Sequence, residues 1–443
     1  MKTVCIAVTG LREAGKTVFL TSLVNHLLEG SEETLPALED EAVTFTAREL
    51  PPDSDARPFP YYAYLDALRT EEPRWPERTW DVSEFRVHLT LRSLRSRKTS
   101  EVALRLVDYP GERLLDLPLL ETDYSRWSDL MVREAQSGPK AKLSEQWRRR
   151  AQRLADEGPR DDVTDVVDAY RDYLGACRRR GFVYLQPSAM LMDGAGHATG
   201  APPFCPLSAD VRERAPDAAQ AMAQRYERYV EDHVEPFFEQ TARCTRQVVL
   251  VDVLRILRQG VHAYNDTRRC LRGILEAYDY AVRRHPLSPL RLMDLFRRRI
   301  GRVAFVATKA DQCARATRGN LRFLLEELVN PSRRRLVATL PDGRPRITFC
   351  AAHRSTEDAT RLFDGRQVSC LRGFREDGPE AREGPWFPGE VPPEWPDHGW
   401  DPEEEQFNFP AFRPRRLPTR DGAVIEHINL DKVFRYVIED LIP

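Results

Sequence analysis

The chain has 443 residues, 41% of them hydrophobic and 31% charged, and a formal net charge of −2. That describes a globular protein long enough for more than one core, with no global charge for holding nucleic acid. No apolar run approaches the ~20 residues a membrane span needs, and MKTVCIAVTG at the start is too short for a secretory segment. The expected location is the cytoplasm, with any membrane link made through a partner protein. Eight cysteines are scattered without CxxC spacing, and Cys5 and Cys350 fall in apolar runs as small buried hydrophobes, a usage that suits a reducing compartment. Nine histidines show no HxxxH pairing, so the sequence predicts no protein-held transition metal.

Residues 3–9, TVCIAVT, have the β-branched apolar pattern of a buried strand. From Lys16 the period changes: Phe19, Leu20, Leu23, Val24, Leu27 and Leu28 predict an amphipathic helix ending near Gly30. Residues 31–78 read as irregular, acidic and then proline-rich, with one short helix near 61–70. EFRVHLTLRS (84–93) and EVALRLVD (101–108) alternate and predict a β-hairpin, the second strand running into DYPGE. Residues 113–245 carry long helical patterns interrupted by a Gly- and Pro-rich loop at 192–206, and read as a helical insertion. Then come a strand at 247–254, a helix near 263–284, a strand at 302–308, a helix near 319–329 and a strand at 346–352. Residues 365–427, rich in proline and tryptophan, read as an ordered loop, and 430–441 as a closing helix.

Three motifs carry chemistry. GLREAGKT fits the phosphate-loop pattern GxxxxGK[ST] between a strand and a helix. Gly10 and Gly15 let the backbone wrap a phosphate, with Glu13, Ala14 and Val18 completing the cradle. Lys16 would reach the β- and γ-phosphates, and Thr17 would offer its hydroxyl to Mg²⁺. Next, DYPG delivers Asp108 to the end of a strand as a second Mg²⁺ contact, with the Gly111 N–H placed for the γ-phosphate. Finally TKAD, Thr308 to Asp311, matches the guanine signature [NT]KxD. The Asp311 carboxylate can accept from both guanine N1–H and the exocyclic amine, a pair adenine lacks, and the Lys309 stem would lie along the ring. CAAH at 350–353 stands where Ala351 and Ala352 would present a backbone N–H to guanine O6.

Strand, phosphate loop, helix, hairpin, DxxG, strand, helix, strand, TKxD, helix, strand is the order of a Ras-like P-loop G domain. The fold expected is therefore α/β, a mostly parallel sheet with one antiparallel hairpin. It divides as 1–112 for the first part of the G domain, 113–245 for the helical insertion, and 246–443 for the second part, with an extension at 365–427. The ligands expected are GTP or GDP with Mg²⁺.

GLREAGKT, DYPGERLLDLPLL, VVLVDVLRILRQG, VAFVATKAD, WFPGEVPPEWP and HINLDKVF together resemble the YcjX-like family of bacterial stress-associated P-loop proteins. The resemblance covers nearly the whole chain, more loosely in the helical middle. It implies a cytoplasmic, stress-linked nucleotide switch that speaks to an effector protein, in a family labelled both ATPase and GTPase. PERTWDVSEF (76–85) also resembles a family stretch, which implies that Thr79 is the switch threonine closing over Mg²⁺, with Thr44 and Thr46 as competitors. Where Ras-like enzymes orient the attacking water with glutamine, this chain has Glu112, and Arg78 or Arg74 could serve as an arginine finger in cis. The reading is a slow GTP hydrolase used as a switch. Its rivals are an ATPase or phosphotransferase of the P-loop class, or a nucleotide-bound interaction module with negligible turnover.

Overall fold

The computed structural model describes residues 2–53, 56–77, 81–157, 163–191, 203–283, 301–339, 345–376, 383–396, 400, 407–420 and 422–443. Seven strands form one sheet: β1 (Lys2–Gly10), β2 (Val43–Leu50), β3 (Ser83–Ser93), β4 (Thr99–Asp108), β5 (Arg246–Val251), β6 (Arg302–Ala307) and β7 (Arg346–Phe349). Their spatial order is β2-β3-β4-β1-β5-β6-β7. Strands β4, β1, β5, β6 and β7 run parallel, and β3 and β2 add antiparallel strands at one edge. The parallel strands are almost continuously apolar because helices cover both faces of such a sheet; β1 is buried from Val4 onward and β5 and β6 throughout.

The expected fold class, a mostly parallel α/β sheet carrying an antiparallel hairpin, is the one observed, with an extra edge strand. β2 lies in the stretch read as irregular. VTFTAREL alternates, turning Val43 and Phe45 inward, and its register places Thr46 opposite Thr90, which in turn faces Glu101. Other boundaries move by a few residues. β5 stops at Val251 because Asp252 caps a new helix, Val253–Gln259, its side chain accepting from the Arg255 N–H.

The helix Lys16–Glu29 buries Phe19, Leu20, Leu23, Val24 and Leu27 in the core, each contributing roughly 1.5–3 kcal/mol. It is more buried than its amphipathic pattern predicts, since Thr21, Ser22, Asn25 and His26 are also covered. The chain near its end explains this. Asn25 Nδ2 donates to the Ala423 carbonyl at 3.2 Å, the Ile425 N–H donates to Asn25 Oδ1 at 2.8 Å, and His26 Nε2 meets the Ile425 carbonyl at 2.7 Å. The closing helix Leu430–Ile438 buries Val433, Phe434, Val437 and Ile438 in the same core.

The stretch read as an ordered loop contains two strands, and a third lies just before it. β8 (Glu357–Phe363), β9 (Arg366–Phe374) and β10 (Glu383–Trp386) form a small antiparallel sheet. Trp395 and Trp400, downstream of it, are buried, their indole N–H groups donating to the Leu324 and Leu257 carbonyls. Cys5 is buried as expected but is bonded to Cys244, which sits immediately before β5. Cys350 is buried, and burial pushes its thiol well above the usual range.

The chain divides into two compact units. The sheet belongs to the first, which takes its residues from Met1–Gly111, Arg243–Tyr264 and Leu292–Pro443. The second comprises Glu112–Ala242 and Asn265–Arg291. Among its described residues it holds helices and no strand, from Arg113–Glu121 to Glu235–Ala242. Its core is aromatic, with Trp127, Trp147, Tyr170, Phe204 and Tyr226 buried. The helix Val261–Arg283, expected to lie wholly with the sheet, passes into this unit after Tyr264. Asp266 is anchored there, its Oδ2 accepting from the Val183 and Tyr184 N–H groups at 2.9 and 3.1 Å, and Arg269 pairs with Glu134 at 2.7 Å.

Candidate nucleotide-binding site

Parallel α/β sheets present ligands at the C-terminal ends of their strands, where the chain turns into helices. Gly10 ends β1, Asp108 ends β4, Val251 ends β5 and Ala307 ends β6, and the registers Val8 to Asp108, Gly10 to Leu250 and Val251 to Ala307 hold these ends along one edge. The three sequence motifs are thereby brought together.

The loop from Gly10 to Gly15 turns tightly. Gly10 has φ +146° and packs so closely that a Cβ there would lie 2.4 Å from the Leu250 carbonyl oxygen, and Gly15 adopts φ +85° at the helix start. Both conformations favour glycine. Ala14 is buried, its N–H donating to the Leu11 carbonyl at 3.2 Å, and Val18 is half-buried in the first helical turn. The Lys16 amine, buried, donates to the Gly10 and Leu11 carbonyls at 3.1 Å each.

Thr17 and Asp108, 91 residues apart, meet directly: the Thr17 hydroxyl donates to Asp108 Oδ2 at 2.9 Å, and Asp108 is fully buried. Gly111 closes onto the same place. A Cβ on it would stand 2.4 Å from the Gly10 oxygen and 2.7 Å from Lys16 Nζ, so only glycine fits without displacing the loop. A hydroxyl beside a buried carboxylate is the hard-oxygen donor set that suits Mg²⁺.

At the other end of the edge, Asp311 follows β6 and is 2% exposed. Burial raises its carboxyl above the usual range, opposed by hydrogen bonds from Ser355, whose N–H and hydroxyl donate to Asp311 Oδ2 at 2.8 and 2.6 Å. Ser355 was not singled out by motif; its only signal is a position five residues after Cys350 in CAAHRS. The Thr308 N–H donates to the Val251 carbonyl at 2.9 Å, fixing the turn. Lys309 has φ +58° and pairs through Nζ with Asp252 Oδ2 at 2.7 Å. Asp252 also escaped motif reading; burial works against its ionisation, but Lys309 and the Arg255 N–H outweigh it and hold its carboxyl below the usual range.

A charged network joins the two ends. Glu13, with φ +63°, pairs with Arg12 Nε at 2.9 Å through one oxygen and with Arg255 at 2.9 Å through the other. Burial opposes its ionisation, yet Arg255, Arg12 and Lys309 together keep its carboxyl below the usual range.

Several expected residues are placed otherwise. The Ala351 N–H donates to the Ile428 carbonyl at 3.0 Å and its own carbonyl accepts back at 2.8 Å, so Ala351 has its N–H committed to that bridge and Ala352 is the remaining member of the pair. His353, beside them, is buried against the Arg415 carbonyl, and burial lowers its pKa to about 4. Thr44 and Thr46 lie on β2, whose register runs through β3 to the start of β4; Glu101 precedes Asp108 by seven residues, about 23 Å along a strand. They cannot close over Asp108. Arg78 and Thr79 lie outside the described residues, while Arg74 is exposed, its N–H on the Ala67 carbonyl. Glu112 follows Gly111 directly and opens the helical unit, at the head of the 3₁₀ helix Arg113–Glu121.

A model of the YcjX-like family, DUF463, matches residues 4–442. A protein of Escherichia coli (strain K12) named Ras-like GTPase YcjX is 32% identical over 460 residues, covering 98% of this chain and 95% of that protein. One of the same name from Shewanella oneidensis is 28% identical over 473 residues, covering 98% and 94%.

Proposed function

The chain belongs to the YcjX-like family, and from that premise we propose that it is a GTPase that binds GTP or GDP with Mg²⁺ and hydrolyses GTP slowly as a switch. The observation that carries this reading is the convergence on one sheet edge of the phosphate loop, the Asp108–Gly111 turn and the buried Asp311. The names of the two relatives support it.

GTP would lie along that edge with its phosphates in the loop from Gly10 to Val18. Lys16 would exchange the Gly10 and Leu11 carbonyls for β- and γ-phosphate oxygens, and the Gly111 N–H would sense the γ-phosphate. Mg²⁺, held by Thr17 and through water by Asp108, would supply charge neutralisation across the β- and γ-phosphates. Ser355 would orient Asp311 so that its carboxylate accepts from guanine N1–H and the exocyclic amine, the Ala352 N–H would address O6, and the Lys309 stem, fixed by Asp252, would cover the ring. Ser83 pairs with Asp108 and stands four residues after Thr79, which supports Thr79 as the switch threonine. Glu112 would accept a proton from the attacking water. A carboxylate near the γ-phosphate is repelled by it, so unassisted turnover falls below ~1 s⁻¹, in the range of intrinsic GTPases.

Among the described residues no helix is long and apolar enough to cross a membrane. We place the protein in the cytoplasm, where GTP is, serving a stress-linked process through an effector protein.

Lys16→Ala tests the assignment. Its amine serves the phosphates, so the variant should keep its fold by circular dichroism and lose GTP binding at least a hundredfold. Parental affinity in the variant would refute the phosphate-loop reading.

A further inference from the structure

Arg12 sits in the phosphate loop, one residue beyond Leu11. The Leu11 carbonyl accepts from Lys16 Nζ, and its carbonyl carbon would lie 3.0 Å from a Cβ on Gly111. The backbone of Arg12 is anchored independently, its carbonyl accepting from Arg255 at 3.1 Å. The stem of Arg12 therefore starts from a fixed point beside both groups that would address the γ-phosphate. Its guanidinium is paired with Glu13 Oε1.

Glu13 carries a second observation. It holds φ +63°, a conformation that costs a side-chain-bearing residue energy and persists where the surroundings impose it. That turn aims the carboxylate towards Arg255, which takes its other oxygen at 2.9 Å. Glu13 thus remains compensated by Arg255 if Arg12 leaves. The Arg12–Glu13 pair is partly exposed, with 31% and 50% of the side chains accessible, so solvent screens what is lost on parting.

We propose that Arg12 is a catalytic residue supplied in cis: when a nucleoside triphosphate binds, its guanidinium leaves Glu13 for the γ-phosphate oxygens, and the Glu13–Arg255 pair is its resting place. This rests on the GTPase reading and replaces Arg78 and Arg74 as the source of the cation. In the step it assists, a water oxygen bonds to the γ-phosphorus. The bond from that phosphorus to the β,γ-bridging oxygen breaks, GDP leaves with the electron pair, and the water's proton, taken up by Glu112, passes on to the phosphate product. Charge moving onto the bridging and γ oxygens meets Arg12, a donor fork matched to phosphate.

The test uses the full chain, with Arg12→Ala and Arg12→Lys beside the wild type. Two readouts are GTP turnover, and binding of fluorescent GDP with Mg²⁺ in the presence and absence of aluminium fluoride, which mimics the transferring phosphoryl group. The wild type should retain GDP more tightly when aluminium fluoride is present, without any partner. Arg12→Ala should lose that increment and lower turnover on the order of a hundredfold, within the range of arginine-finger effects, while its GDP affinity stays within threefold. Arg12→Lys should recover part of the turnover, as a point charge without the fork. Normal GDP binding with parental turnover and an intact fluoride increment in Arg12→Ala overturns the role of Arg12 alone. Failure of the wild type to bind GDP overturns the GTPase reading beneath it.

Discussion

In the proposed GTPase, base choice would turn on Asp311. Ser355 gives two hydrogen bonds to Oδ2 and so fixes the plane of the carboxylate inside the protein. Asp311→Asn converts one acceptor into a donor amide, which then faces either Ser355 or the guanine donors with the wrong polarity. The expected loss of GTP affinity is about 1–3 kcal/mol, the cost of an unsatisfied buried group, measured by titration, with ATP affinity unchanged. An Asp311→Asn variant that binds GTP as the parent does would refute the contact. Gly10, Lys16, Thr17, Asp108 and Asp311, which the fold brings to one sheet edge, stand out in the sequence because local motif spacing marks each of them. Ser355, Asp252 and Arg255 do not, since each acts through a partner remote in sequence: Ser355 is 44 residues from Asp311, and Arg255 is 242 from Glu13. The commitment of the Ala351 N–H was hidden for the same reason, its acceptor being Ile428.

At the scale of elements, the strands and helices flanking the motifs were readable because a buried parallel strand is apolar throughout and a helix repeats at three and four. The misses have a physical origin as well. β2 is an edge strand in which the exposed Glu49 falls on the face of Val43 and Phe45, so its alternation is diluted, and pairing with β3 rather than its own composition makes it a strand. β9 and β10 were obscured by proline and tryptophan nearby, and β8 is mostly exposed. One element of the helical unit carries a measurable consequence. Asp116, on Arg113–Glu121, is 2% exposed and accepts from the Ser188 N–H and hydroxyl and from the Tyr229 hydroxyl at 2.6 Å. Burial raises its carboxyl from 3.8 to about 6. The folded chain therefore holds a proton that the unfolded chain releases; the stabilisation is complete below pH 3.8 and is lost as pH rises through about 6. The difference is on the order of 3 kcal/mol. Asp116→Asn should remove that dependence, so urea unfolding between pH 4 and 7 should show a shallower decline than in the parent. Superimposable profiles would mean that Asp116 titrates as an ordinary carboxyl.

At the scale of the whole molecule, the chain leaves the sheet after Gly111, builds a helical unit, returns for β5, and contributes to the helical unit again from Asn265. The first departure was legible from the helical period after DxxG. The second was not, because a helix that starts in one unit and continues in the other has an unbroken pattern, and the change is marked by contacts remote in sequence, Asp266 to Val183 and Tyr184 and Arg269 to Glu134. Everything proposed about function depends on the sheet edge being a guanine-nucleotide site. The most direct test is a side-by-side titration of the purified full chain with GTP and ATP in the presence of Mg²⁺. GTP should bind at least a hundredfold more tightly than ATP; equal affinities, or a preference for ATP, would contradict the assignment of this edge to guanine nucleotides.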